Sequence, residues 1–186
     1  NRGIKEARGE WIAFLDADDL WLAGKLKQQM DALLPLQRPA LSFTRYRRVS
    51  PQGQMLSVAA DHPSPELKPN PRKLLRQNFI GTSTVIAHRA CFERCGGFPE
   101  QELLNRGGQD YALWLRIAAL FPLIYIREIG TLYRVHESNR VGIDPVVHHQ
   151  AGLAALESFY EWDKDLFKSL SPLSLKALIR LRKAQF

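Results

Sequence analysis

Cysteine is scarce in this chain, with two in 186 residues, and long apolar runs are missing. Two cysteines cannot staple a small secreted scaffold, so the fold must rest on a hydrophobic core, which a chain 45% hydrophobic and 24% charged can supply. Cys91 and Cys95 lie four apart in a stretch of helical pattern, where a disulfide would tie one helix to itself. They read as free thiols in a reducing compartment, and the lack of a neighbouring Cys-rich or His-rich cluster argues against a CxxxC metal pair. No apolar segment approaches the roughly 18 residues of a membrane span, and nothing resembles a secretory leader, so the expected location is the cytoplasm. The chain begins at Asn1, not at a methionine, and within a helical pattern, as expected of a piece of a longer protein. Internal repeats and low-complexity tracts are also missing.

What is present begins with charge. A formal net charge of +7 fits nucleic acid, an anionic membrane surface or a phosphate-bearing small substrate. A nucleic-acid binder needs basic and aromatic residues interleaved on one surface, and only Phe43 to Arg48 has that character, so no nucleic-acid partner is expected. Near the end of the chain Leu175, Leu178 and Ile179 share a helical face opposite Lys176, Arg180 and Lys183. Such a helix either packs on its own domain or makes a peripheral contact with the inner face of a membrane.

Hydrophobic periodicity outlines an α/β fold. Asn1 to Arg8 reads as a helix closed by Gly9, and Trp11 to Leu15 as a strand apolar on both sides, the pattern of a mostly parallel sheet flanked by helices. Lys25 to Leu34 reads as an amphipathic helix with Leu26, Met30, Leu33 and Leu34 on its buried face and Pro35 as its stop. Strands are expected at Leu41 to Val49, Met55 to Ala59, Thr82 to Ala87, Leu123 to Ile126 and Thr131 to Val135. Helices are expected at Arg72 to Asn78, Arg89 to Cys95, Tyr111 to Leu120, His148 to Phe167 and Leu173 to Lys183, with a proline-rich surface loop from Asp61 to Pro71. Residues 1–142 form the catalytic part of one domain in this reading, and residues 143–186 a helical extension.

The first strand ends in Asp16-Ala17-Asp18-Asp19. Acids one residue apart at the carboxyl edge of a sheet can offer hard oxygen ligands to Mg²⁺ or Mn²⁺ and leave positions open for diphosphate oxygens. Such an ion would neutralise charge on a departing nucleoside diphosphate. The same residues can instead be solvated turn acids, and Asp19 reads as the cap of the following helix. A second acid, Asp110, opens the helix from Tyr111, where free N–H groups favour a carboxylate. By itself it reads as an ordinary helix N-terminal acid before it reads as a base for an attacking hydroxyl.

Asn1-Arg2-Gly3-Ile4, then Ala7 through Asp19, with Trp21, Lys25-Leu26 and Gln29, resembles the centre of family-two inverting glycosyltransferases of GT-A fold. Gly96-Gly97-Phe98-Pro99-Glu100 and Gly108-Gln109-Asp110-Tyr111-Ala112-Leu113-Trp114-Leu115-Arg116 resemble the acceptor-side motif of that family, and Tyr133 to Asn139 its segment after the last core strand. The resemblance covers residues 1 to 140 and implies a nucleotide-binding Asp16, a metal-binding Asp18 and Asp110 as the catalytic base. It further implies that His136 completes the metal or diphosphate shell; Arg134 is placed to meet phosphate oxygens, and Gln109, at a position where the family has Glu, can hydrogen-bond an acceptor hydroxyl but cannot ionise. Trp21 is an expected sugar-stacking platform, whereas Trp114 reads as core. The partners so implied are a nucleotide-sugar donor and a saccharide or lipid-linked acceptor, in bacterial cell-envelope polysaccharide assembly. Family members carry further residues before the equivalent of Asn1, so the domain is expected to be truncated at its N-terminus. The rival readings are a degenerate, non-catalytic sugar-binding module, for which the missing acid at Gln109 speaks, and a metal-dependent phosphohydrolase, which needs more ligands than the sequence offers.

Overall fold

The computed structural model describes residues 1–56, 63–64, 67–104, 107–136 and 145–184. Its sheet comprises β1 (Trp11–Ala13), β2 (Leu20–Trp21), β3 (Leu41–Val49), β4 (Val85–His88) and β5 (Leu123–Arg134), in the order β1-β4-β3-β5-β2. The long β3–β5 pair is parallel, while β4 runs antiparallel to both β3 and β1, and β2 antiparallel to β5. The fold is thus α/β as expected, with a mixed rather than mostly parallel sheet. The apolar run at Trp11 explains the difference. It reports how a strand is covered, not its direction, and β1 is a three-residue edge strand beyond which Leu15 is 48% exposed.

Two expected strands merge into β5, which bulges midway: Thr44 pairs with Ile126, Arg45 with Ile129 and Tyr46 with Thr131. Gly130 makes this crossing possible, because a Cβ there would stand 2.6 Å from Thr44 Oγ1 and 3.0 Å from Lys25 Cγ. Beyond the bulge, Thr131 to Arg134 runs beside Tyr46 to Val49 and carries the chain toward the acidic turn. Of the expected hairpin partner from Met55, the described residues give one bridge, Val49 to Met55; residues 57–62 and 65–66 lie outside them.

Eight helices pack around the sheet among the described residues: α1 (Arg2–Glu6), α2 (Lys25–Leu33), α3 (Pro71–Arg76), α4 (Arg89–Cys95), α5 (Gln109–Leu120), α6 (Pro145–Trp162), α7 (Lys164–Leu170) and α8 (Leu175–Ala184). Helix α5 is central, buried continuously from Tyr111 to Ala118, as a helix apolar all round must be. Trp114 is fully buried against Phe14 and Phe98, and Arg116 reaches the Cys95 carbonyl and Ser158 Oγ, linking α4, α5 and α6. Cys91 and Cys95 are buried without a disulfide, and burial pushes their thiols up to about 12, which makes them inert packing groups.

Several local expectations shift. Helix α1 ends at Glu6 with Ala7 extended, so Gly9 is no left-handed cap; Arg89 gathers the Ile4, Ala7 and Gly9 carbonyls instead. The buried face of α2 is Lys25, Gln29 and Leu33, one helical step round from the expected stripe, and Leu26 and Leu34 are 44% and 59% exposed. The helix expected over His148 to Phe167 breaks at Asp163, whose carboxylate caps α7 by accepting from Leu166 N at 2.9 Å. Ala155, Leu156, Phe159, Phe167 and Leu178 join the same core as Phe43 and Trp114, so the C-terminal helices are built into the body of the fold. Leu178 and Leu175 turn the apolar side of α8 onto that core, and Lys176 and Arg180 face solvent. No helix among the described residues is long and apolar enough to cross a membrane.

Candidate active site

The acidic turn follows β1 because the strand cannot continue: Phe14 N bonds the Val85 carbonyl, and Asp19 N closes a turn onto the Asp16 carbonyl at 3.1 Å. Asp19 is not the cap of α2, whose N-cap is Gly24 in the left-handed region at φ 84°. It is buried, and its Oδ1 accepts the Arg134 backbone N–H at 2.9 Å, which pins the turn to the end of β5. Arg134 tightens the same joint. Its Nε donates to the Asp18 carbonyl at 2.9 Å and its Nη1 to the Ser50 and Pro51 carbonyls, so these donors hold backbone in place.

This joint brings together two residues 118 apart: His136 Nε2 stands 2.6 Å from Asp18 Oδ2. The expected metal-ligand pair therefore meets. A carboxylate and an imidazole form a donor set that Mn²⁺ or Mg²⁺ accepts, and two protein ligands leave room for diphosphate oxygens and water. Among the described residues no group of three or more His, Cys, Asp or Glu side chains could hold an ion.

Beside it opens a cleft of about 490 Å³ lined by Asn1, Ile4, Phe14, Asp16, Thr82, Phe98, Gln109 and Asp110, among others. The expected nucleotide, acceptor and base residues Asp16, Gln109 and Asp110 thus share one concavity. Asp16 has exposed surface yet lies among these walls; desolvation first, then the charges of Asp18 and Asp110, raises its carboxyl above 3.8. Asp110 stands on the first turn of α5, with Oδ1 accepting Tyr111 N at 2.7 Å and Oδ2 accepting Thr82 Oγ1 at 3.2 Å. These donors favour the ionised form, but burial outweighs them and raises its carboxyl as well. The helix start expected to favour ionisation is therefore overruled by desolvation.

Backbone geometry sets the edge of the cleft. Gly108 caps α5 at φ +95°, and a Cβ there would lie 2.5 Å from the Ala151 carbonyl oxygen of α6. Gly97, at φ +71°, faces Asn1 Oδ1 so closely that a Cβ would stand 2.7 Å away. Asn1 there bonds Phe98 N, the Phe98 carbonyl and Glu100, joining the two motifs that line the cleft.

Trp21 is not brought into this cleft. Its indole N–H donates to the Ser83 carbonyl at 2.7 Å and Lys25 Nζ lies 4.5 Å from the centre of its ring, so it supports the wall. Sequence reasoning missed Thr82 and Ser83, taken for strand residues. They form a 3₁₀ turn, Thr82–Thr84, that faces both carboxylates, and the signal was the cluster Gly81-Thr82-Ser83-Thr84, whose hydroxyls favour turns. Glu137 to Asn139 of the expected motif lie outside the described residues.

Residues 1–94 match the model of the family described as glycosyl transferase family 2. The chain belongs to that family. It is 29% identical over 180 residues to an uncharacterized glycosyltransferase of Rickettsia bellii, covering 96% of this chain and 25% of that protein. It is 32% identical over 117 residues to the Escherichia coli UDP-Glc:α-D-GlcNAc-diphosphoundecaprenol β-1,3-glucosyltransferase WfgD, covering 63% of this chain and 42% of that protein. A third relative, the amylovoran biosynthesis glycosyltransferase AmsB of Erwinia amylovora, is 31% identical over 147 residues, covering 76% of this chain and 47% of that protein. The chain thus spans a quarter to about half the length of these relatives.

Proposed function

We propose that this chain carries the metal-binding and acceptor-activating part of a glycosyltransferase that moves a sugar from a nucleotide-diphospho-sugar to an acceptor hydroxyl with inversion. The observation that supports this most strongly is the meeting of Asp18 with His136 beside a cleft that Asp16 and Asp110 share. Asp110 accepts the proton of the acceptor hydroxyl as that oxygen attacks the anomeric carbon from the face opposite the diphosphate. The bond from the anomeric carbon to the diphosphate oxygen breaks, and its electron pair leaves on the nucleoside diphosphate. A carboxyl raised by burial is a stronger base when ionised than an ordinary aspartate, which suits proton removal near neutral pH.

Asp18 and His136 would hold Mg²⁺ or Mn²⁺, which supplies charge neutralisation for the leaving diphosphate. Asp16 receives the nucleotide side of the donor, Gln109 hydrogen-bonds an acceptor hydroxyl, and Arg134 serves by holding the acidic turn. The name of WfgD points to a lipid-linked acceptor, and Lys176 and Arg180 on the outer side of α8 fit a peripheral electrostatic contact with an anionic bilayer. Both support work at the inner face of a membrane, in envelope polysaccharide assembly.

The test is a thermal-shift panel of nucleoside diphosphates on the full-length protein, with and without Mn²⁺. A metal-dependent rise in Tm with one nucleotide, lost in Asp18→Asn and weakened in His136→Ala, is the expected result. A rise that persists unchanged in Asp18→Asn would remove the metal assignment.

A further inference from the structure

The short turn between Gly81 and β4 contacts both sides of the cleft. Thr82 Oγ1 donates to Asp110 Oδ2 at 3.2 Å, and the next residue, Ser83, accepts the backbone N–H of Asp16 on its Oγ at 3.0 Å. The turn is fixed from three further elements. The Ser83 carbonyl accepts from Trp21 Nε1 at 2.7 Å and from Thr131 Oγ1 at 3.2 Å, and the Thr84 carbonyl accepts from the buried Gln29 Nε2 at 3.0 Å. Gln29 is itself held by Lys25 Nζ at 2.7 Å, and Thr84 closes the turn on the Gly81 carbonyl. Ser83 and Thr84 are almost fully buried.

A side chain that merely filled space here would not need a hydroxyl aimed at a carboxylate. Asp110 Oδ1 is already engaged by Tyr111 N, so the Thr82 bond fixes the remaining rotation of the carboxylate about its own axis. The turn then sets where Asp110 stands relative to Asp16, because successive residues hold one and the other.

We infer that Thr82 is a positioning residue for Asp110, and that the Thr82–Thr84 turn is the strut that fixes the spacing between the acceptor-side and donor-side carboxylates. The inference rests on the reading of Asp110 as the base. Thr82 need not touch donor or acceptor; it acts by aiming one oxygen of Asp110 at the cleft. The charged and titratable groups that bear on Asp110 are Asp16 from the acidic turn and His148 from α6, and the Thr82 bond adds to them a donor that favours the ionised form.

The experiment compares Thr82→Val, which keeps the shape and removes the hydroxyl, with Thr82→Ser, which keeps the hydroxyl, in the full-length enzyme. Thr82→Val is expected to lower kcat by roughly tenfold to a hundredfold, the range for losing a hydrogen bond to a charged group, with the KM for the nucleotide sugar unchanged. The acid limb of its kcat–pH profile moves to higher pH, since the carboxylate loses a donor, and Thr82→Ser restores both rate and profile. Unchanged nucleotide-induced thermal stabilisation in Thr82→Val separates mispositioning from misfolding. A wild-type rate in Thr82→Val, or a loss of rate that Thr82→Ser does not rescue, overturns the inference. Asp110→Asn distinguishes the two levels: if it stays active the base assignment fails, and if it is inactive while Thr82→Val is normal only the role of Thr82 fails.

Discussion

Asp16 and Asp18 reach the site on a loop, whereas Asp110 reaches it on the first turn of a buried helix, and the two regions are stabilised in opposite ways. The acidic turn is half open to water and is held to the end of β5 by bonds between side chain and backbone, Arg134 N to Asp19 Oδ1 and Arg134 Nε to the Asp18 carbonyl. Its carboxylates crowd one another, a cost that a divalent cation would relieve. Asp110 sits where burial disfavours its charge. One region is arranged to receive positive charge, the other to receive a proton. In the proposed reaction this contrast would let a single fold edge stabilise a leaving group and activate a nucleophile at once.

The sharpest way to break this contrast is Asp110→Asn. Turnover is expected to fall by about 10²–10⁴-fold, the usual contribution of a positioned base. Stability should move the other way. A carboxyl raised above 3.8 in the folded state takes up protons more readily there than in the unfolded chain, so the wild type loses stability as pH rises through the folded value. The variant lacks that loss, so denaturant midpoints should show it more stable than wild type near neutral pH, with the gain vanishing near pH 4. Equal midpoints across that range would contradict the desolvated base.

Gly108→Ala tests the scaffold of the same region. Its Cβ meets the Ala151 carbonyl and its φ of +95° is strained for any side chain, so urea unfolding should report a loss of about 2–4 kcal/mol. Metal-dependent nucleotide binding at the acidic turn should survive in the population that remains folded. An effect of similar size is expected at Lys25, buried beneath Trp21 and lowered to about 7 by burial. Its unfolded value near 10.5 is higher, so the wild type gains stability as pH rises from about 7 and loses it as pH falls through 7. Lys25→Met should flatten that slope by about 3–4 kcal/mol, measured as the difference in unfolding free energy between pH 6 and pH 10.

The acidic turn was legible in the sequence because its residues are contiguous and end an apolar run. Helix α5 was legible from its apolar stripe as Tyr111 to Leu120, two residues short of its actual start at Gln109. The pairing of Asp18 with His136 came from resemblance alone, since no local pattern links residues 118 apart. Two features were not legible. The buried face of α2 holds Lys25 and Gln29, which hydropathy assigns to solvent, because Gln29 satisfies the Ser42 hydroxyl and the Thr84 carbonyl inside the fold. The Thr82–Thr84 turn reads as strand because β-branched residues suit both states, and only its tertiary hydrogen bonds decide between them. Trp21 was assigned to sugar by its type; in the structure its indole N–H bonds the Ser83 carbonyl and its ring lies against Lys25.

The most direct test of the account is isothermal calorimetry of nucleoside diphosphate binding, with and without Mn²⁺, set beside turnover for Asp18→Asn and Asp110→Asn in the full-length enzyme. The account predicts that Asp18→Asn loses metal-dependent binding and turnover together, while Asp110→Asn binds the nucleotide like wild type and does not turn over. Wild-type turnover by Asp110→Asn, or an equal loss of nucleotide binding in both variants, would contradict a site divided between a charge-receiving turn and a proton-receiving helix end.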